Sequence, residues 1–163
     1  MSADLPDLEL LMQREDELVL AGFTADDAWW LGCHLRDAGR RQNAPIAIEI
    51  SVGPTRLFSA LLPGATADNL GWIKRKVALA WRYQRSSYAM GRKFAGGENL
   101  FERFGLDYQT YAAAGGAVPI RVAGVGMIGA VAVSGLPQID DHVMVLDALT
   151  ALKHHQGNAQ GDA

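Results

Sequence analysis

The clearest alternation in the chain runs from Pro45 to Val52, where Ile46, Ile48, Ile50 and Val52 fall on one face and Ala47, Glu49 and Ser51 on the other. A period of two marks a half-buried strand. Gly53-Pro54 then turns the chain and the segment from Arg56 to Leu62 returns, which predicts an antiparallel hairpin ended by Pro63-Gly64. A second hairpin is predicted from strand Ala117 to Val122, a tight reversal at Gly124 to Gly126, and strand Met127 to Ser134. Gly124, Gly126 and Gly129 also satisfy the G-x-G-x-x-G spacing of a dinucleotide-binding turn. That turn needs a helix at its exit, so that pyrophosphate can sit on free amides. Here the exit, Ile128 to Val133, favours a strand.

Elsewhere the period is helical. Thr24 caps a helix expected to reach Arg41, with Asp26 and Asp27 suited to its positive end and Ala28, Leu31, Leu35 and Ala38 as its buried stripe. A longer helix is predicted from Thr66 or Ala67 to Tyr88. Leu70, Ile73, Val77, Ala80 and Trp81 would pack on the sheet, and Trp72, Lys76, Leu79 and Tyr83 would form an adjoining face. A short helix over Leu5 to Met12 and a strand over Glu17 to Phe23 precede these, and a last helix opens near Pro137, where a missing amide proton costs nothing. Gly91 to Gly116 is the least regular stretch, broken at Gly96-Gly97, with short helices expected over Asn99 to Phe104 and Asp107 to Ala114. Phe94, Phe101, Phe104 and Tyr111 are too apolar for a free linker and predict an excursion that covers a sheet edge or reaches a neighbouring subunit.

At 163 residues and 49% hydrophobic, the chain suits one core. The expected organisation is a single domain over 1–153 and a flexible tail over 154–163, where HHQGNAQGDA lacks large apolar side chains. One cysteine, Cys33, permits no internal disulfide, and the acidic N-terminus has neither a signal-peptide pattern nor an apolar span. A soluble cytoplasmic protein is expected, with no membrane partner. Although the net charge is only -3, carboxylates crowd the first thirty residues and cations crowd the segment from Lys74 to Arg103. Solvated faces that attract each other explain this, as does an anion site on the basic helix. The basic segment lacks a recognised reading motif, so nucleic acid is set aside as a partner.

Chemistry is sparsely marked. No HExxH, P-loop, CxxC or nucleophile elbow occurs, and the catalytic residues, if the chain is an enzyme, are not identified by motif. Ser134 with Asp141 and His142 invites a triad reading, against which stand the ordinary roles of serine at a strand end and aspartate at a helix start. Glu49 is read as an exposed strand carboxylate, and Cys33 and His34 as packing residues, because no second pair completes a metal-ligand set.

The stretch GGAVPIRV followed by GVGMIGAVAVSGLPQIDDH resembles the C-terminal half of GlcG/HbpS-like proteins, the haem-degrading domain family. The resemblance extends to Leu57-Phe58, Pro63-Gly64, Asp68-Asn69, Trp72 to Lys76, Ser86-Ser87-Tyr88 and Asp141-His142, and is greatest to the family's single-domain branch. It implies an α/β (α+β) profilin-like sandwich, a five-stranded, largely antiparallel sheet covered by helices, in a homo-oligomer that is a dimer or a larger ring of dimers. Two functional readings follow. In one, Trp72, Lys76, Tyr83, Ser134 and His142 line a pocket for a hydrophobic anion such as haem, with His142 as the nominated axial ligand. In the other, the chain is a non-enzymatic oligomeric protein-interaction module.

Overall fold

The computed structural model describes residues 7–95 and 100–161. Its five strands lie in the order β1-β4-β5-β2-β3, comprising β1 (Val19–Leu20), β2 (Ala47–Val52), β3 (Thr55–Leu61), β4 (Ala117–Val122) and β5 (Gly126–Ser134). Only β1 is parallel to its neighbour, β4; every other pairing is antiparallel. The helices are α1 (Leu8–Glu17), α2 (Ala25–Arg41), α3 (Ala67–Tyr83), α4 (Ser87–Phe94), α5 (Leu100–Arg103) and α6 (Gln138–Gly161).

Alternation along the strands builds two different faces. Ile46, Ile48, Ile50, Val118, Ile120, Val131 and Val133 point to one side, where they pack with Leu31 and Leu35 of α2 and Leu146 and Leu149 of α6. Ala47, Ala117 and Ala132 point to the other and meet Ile73 and Ala80 of α3. Branched side chains fill the space under two helices, while the alanines let α3 approach closely. The sheet is therefore covered on both faces, except where the edge strand β3 extends past α3. Glu49, expected to be solvated, is only partly exposed and pairs with Arg56 at 3.3 Å.

The glycine-rich stretch is a hairpin. Gly124 and Gly126 adopt φ of 75° and 101°, values that suit a residue without a Cβ, and a Cβ on Gly129 would lie 2.0 Å from the Ser51 carbonyl oxygen of β2. The apparent nucleotide fingerprint thus consists of two turn positions and one site of close strand approach.

Several elements differ from expectation. The long helix stops at Tyr83, because Gln84 takes a left-handed conformation (φ 53°, ψ 37°) and Ser86 caps a new helix, α4, by accepting from Ala89 N. Residues 107–110 form a turn with Asp107 accepting from Thr110 N at 2.7 Å, not a helix. β1 is two residues long, and α1 runs to Glu17 rather than Met12. α6 continues through His154 and His155 to Gly161, where composition predicts a flexible tail. His155 stacks on Trp30 and Gln156 Nε2 donates to the Gly22 carbonyl at 2.9 Å, so contacts that are remote in sequence hold a segment lacking large apolar side chains. Leu5, Gly96, Gly97 and Asn99 lie outside the described residues.

The irregular segment packs within the chain, against α3 and α4. Phe101 and Leu106 are buried with Leu79 and Met90, and Tyr83, Phe94 and Tyr111 adjoin them. Phe104 remains 44% exposed. Much of the basic charge is spent locally: Arg85 pairs with Asp16, Arg75 lies over the Trp72 ring at 4.1 Å, and Arg82 donates to Tyr111 Oη at 3.2 Å.

Candidate functional site: a cleft floored by Lys76 and Asp141

The cleft lies where β5 ends, β4 begins and the N-terminal turns of α3 and α6 converge. Lys76 leaves α3 toward the sheet and is 3% exposed. Its Nζ donates to the Val133 carbonyl oxygen at 3.3 Å and to Asp141 Oδ2 at 3.4 Å. Asp141, 1% exposed, also accepts from Gly135 N at 3.3 Å and Leu136 N at 3.0 Å, which ties the strand-to-helix connection to the first turn of α6. Gly116 makes room for the ammonium: with φ of 138°, it would place a Cβ 2.8 Å from Lys76 Nζ and 2.3 Å from the Val133 carbonyl oxygen.

Burial sets the electrostatics. It pushes the Lys76 ammonium below its ordinary pKa, a shift that neighbouring Asp141 opposes. It pushes the Asp141 carboxyl up, opposed first by Lys76 and then by the two amides. An ammonium has three N–H donors, and the described residues accept two from Lys76. The third has no acceptor among the described residues.

The cleft above this pair has a volume of about 280 Å³ and is also lined by Trp72, Ser134, Asp68 and Gln138. The structure therefore brings together three of the five expected ligand residues, Trp72, Lys76 and Ser134. Tyr83 is elsewhere, with its ring edge-on to Phe94 at 5.8 Å. It shares the helical stripe of Lys76 but stands seven residues further on, about 10 Å along the axis at 1.5 Å per residue. His142 is also excluded. It is 1% exposed and stacks on Tyr88 with centroids 4.8 Å apart, and its Nδ1 has no hydrogen-bond partner among the described residues. Successive helical side chains diverge by about 100°, so with Asp141 facing the cleft its neighbour turns away. No hydrogen bond joins Ser134 to His142 among the described residues, and the triad reading has no geometric support.

Sequence reasoning missed Asp141 as the partner of Lys76. Its place beside His142 suggested a helix-start role, which it does fill, but nothing local in sequence joins positions 76 and 141. Among the described residues, no helix is long and apolar enough to cross a membrane, and no cluster of three or more metal-ligating side chains occurs.

Residues 23–150 match the family described as Haem degrading protein HbpS-like. A UPF0303 protein of Streptomyces coelicolor is 47% identical over 145 residues, covering 88% of this chain and 92% of the relative. A UPF0303 protein of Paraburkholderia xenovorans is 41% identical over 150 residues, covering 91% of each. Among solved structures, the Ybr137w protein superposes with a TM-score of 0.86 at 35% identity, over 95% of this chain and 91% of that one. A PduOC:haem complex superposes with a TM-score of 0.67 at 16% identity, over 80% of this chain and 94% of that one, a likeness of fold. From its match over residues 23–150 and from these relatives, the chain belongs to the HbpS-like haem-degrading protein family.

Proposed function

We propose that the chain binds a small hydrophobic monoanion in the Lys76 cleft. The observation that carries this reading is the Lys76 ammonium itself, nearly buried at the cleft floor with one N–H unused by the described residues. A carboxylate is the partner such a donor takes, and Trp72, 38% exposed, offers an apolar surface at the rim. Asp141 already offsets the ammonium, and Asp68 adds a second carboxylate, so a polyphosphate is disfavoured.

Haem, which the family's description and the PduOC:haem complex bring forward, is held through its iron by imidazole, thiolate, thioether or phenolate donors. Among the described residues none of these lines the cleft, and His142 lies beneath Tyr88. The cleft residues do not fit an iron-ligated haem, and the proposal does not depend on one. The unpaired Cys33 suits a cytoplasmic location for such a binding protein.

Calorimetric titration with 1-naphthoate tests the reading. Saturable binding is expected, weakened at least several-fold by Trp72→Ala, tightened by Asp68→Asn and lost in Lys76→Met. A parallel haem titration is expected to give no Soret change dependent on His142. Nonsaturating association of naphthoate, or affinity indifferent to both Trp72→Ala and Asp68→Asn, overturns the proposal.

A second reading, a homo-oligomer, is favoured by β3. This edge strand leaves Leu57 and Leu61 at 36% and 46% exposure, beyond the cover of α3, and among the described residues its outer backbone edge is unpaired. Light scattering at micromolar concentration tests this second reading, with a mass of at least twice 17.5 kDa expected and a monomer mass refuting it.

A further inference from the structure

A second depression lies on the α2 side of the sheet, and its electrostatic character differs from that of the Lys76 cleft. It is a groove of about 520 Å³ between α2 and the end of α6. Trp30 forms part of its wall and is stacked with two imidazoles, His34 at 5.2 Å and His155 at 4.5 Å, both within 15° of parallel. Trp29 is 66% exposed and is braced edge-on against Phe58 at 5.8 Å. Asp26, Asp27 and Asp37 complete the rim, and neither Lys nor Arg lines the groove.

These carboxylates are differently engaged. Asp27 closes the capping box with Thr24, accepting from Thr24 N at 2.8 Å. Asp37 has only a 3.6 Å pairing with Arg36, in which both side chains are solvated. Asp26 has no side-chain hydrogen bond or ion pair among the described residues. Exposed indole beside solvent-facing carboxylates selects by charge. The ring face attracts a cation through its quadrupole, and the carboxylates add Coulombic attraction to it. An anion would meet the same carboxylates repulsively. That disfavours haem here, with its propionates, even though imidazoles are at hand.

We propose that this groove is a binding site for a flat organic cation, such as an N-alkylated heteroaromatic ring, stacked on Trp29 and neutralised by Asp26 and Asp37. The proposal is independent of the anion cleft, since it uses another face of the molecule and the opposite ligand charge.

The test is calorimetric titration of the full chain with N-methylquinolinium chloride, with naphthalene-2-sulfonate as the anionic counterpart of similar shape. The cation is expected to bind saturably and the sulfonate not to compete with it. Trp29→Ala should weaken the cation at least ten-fold and Asp26→Asn with Asp37→Asn several-fold, and raising salt should weaken the native chain more than the double asparagine variant. These side chains are exposed, so the variants keep the fold. Saturating 1-naphthoate should leave cation affinity unchanged, which separates this site from the cleft. Absence of saturable cation binding, competition of the sulfonate with the cation, or indifference to Trp29→Ala overturns the proposal.

Discussion

Lys76 Nζ and Asp141 Oδ2, 65 residues apart in sequence, meet at 3.4 Å, with side chains 4% and 2% exposed. The attraction of such a pair offsets the cost of removing both charges from water, so it does not of itself make the fold stable. Removing one partner is different, because the other is left charged and dry. Lys76→Met is expected to destabilise the chain by about 3 kcal/mol, and adding Asp141→Asn to recover part of that loss. Urea denaturation of the two singles and the double checks this; strictly additive losses would refute coupling.

His142 gives the chain an acid sensitivity. Burial, with a smaller contribution from the Arg14 charge, lowers its pKa from 6.5 to about 4. The unfolded imidazole therefore takes up a proton before the folded one does, and stability rises with pH wherever the unfolded state binds more protons. This contribution is fully present above pH 6.5 and is lost as pH falls through about 4, to a limit of about 3 kcal/mol. Comparing the pH dependence of urea midpoints for native and His142→Phe chains checks this. The variant should show the shallower loss between those two pH values.

Glycine positions separate the structural reading of the hairpin from the nucleotide reading. Gly129→Ala would drive a Cβ to 2.0 Å from the Ser51 carbonyl oxygen and is expected to cost about 2 kcal/mol or more through forced separation of β5 and β2. Val125→Ala, at the 70% exposed hairpin tip, should stay within about 0.5 kcal/mol of the native chain. Thermal melts distinguish the two, and a tolerated Gly129→Ala would contradict the packing.

Glu15 ties α1 to the sheet and to α4. It is 1% exposed, and its Oε1 accepts from Ser86 N at 2.7 Å and lies 3.5 Å from Arg121 Nη2. Glu15→Ala leaves that amide and a mostly buried guanidinium without their carboxylate, at an expected cost of about 3 kcal/mol. Hydrogen exchange should show the loss first at the N-terminal turn of α4. Unchanged protection of Ala89 and Met90 would refute the link.

The two hairpins were legible in the sequence because strand alternation and turn glycines are local signals, and both need only neighbours within a few residues. The same holds for α2, where the Thr24 and Asp27 capping box and the Leu31 and Leu35 stripe agree with each other. The break at Gln84 was not legible. Arg85, Ser86 and Ser87 can end a helix or start one, and only the docking of Ser87 Oγ on Ala117 N at 3.1 Å decides for a second helix.

The candidate site divides along the same line. Helical periodicity put Trp72 and Lys76 on one face, and the strand pattern put Ser134 at a strand end. The same periodicity wrongly added Tyr83, because a stripe fixes direction around the axis and not distance along it. Which of Asp141 and His142 faces Lys76 depends on the rotation of α6 on the sheet, and that rotation is set by Val145, Leu146, Leu149 and Leu152 packing beneath it. The hairpins and the capped helices thus follow from interactions encoded within short stretches of chain. The buried ion pair, the sequestered histidine and the docking of His155 on Trp30 arise only when distant segments are desolvated together, since no local sequence signal carries the free energy of contacts that the unfolded chain does not make.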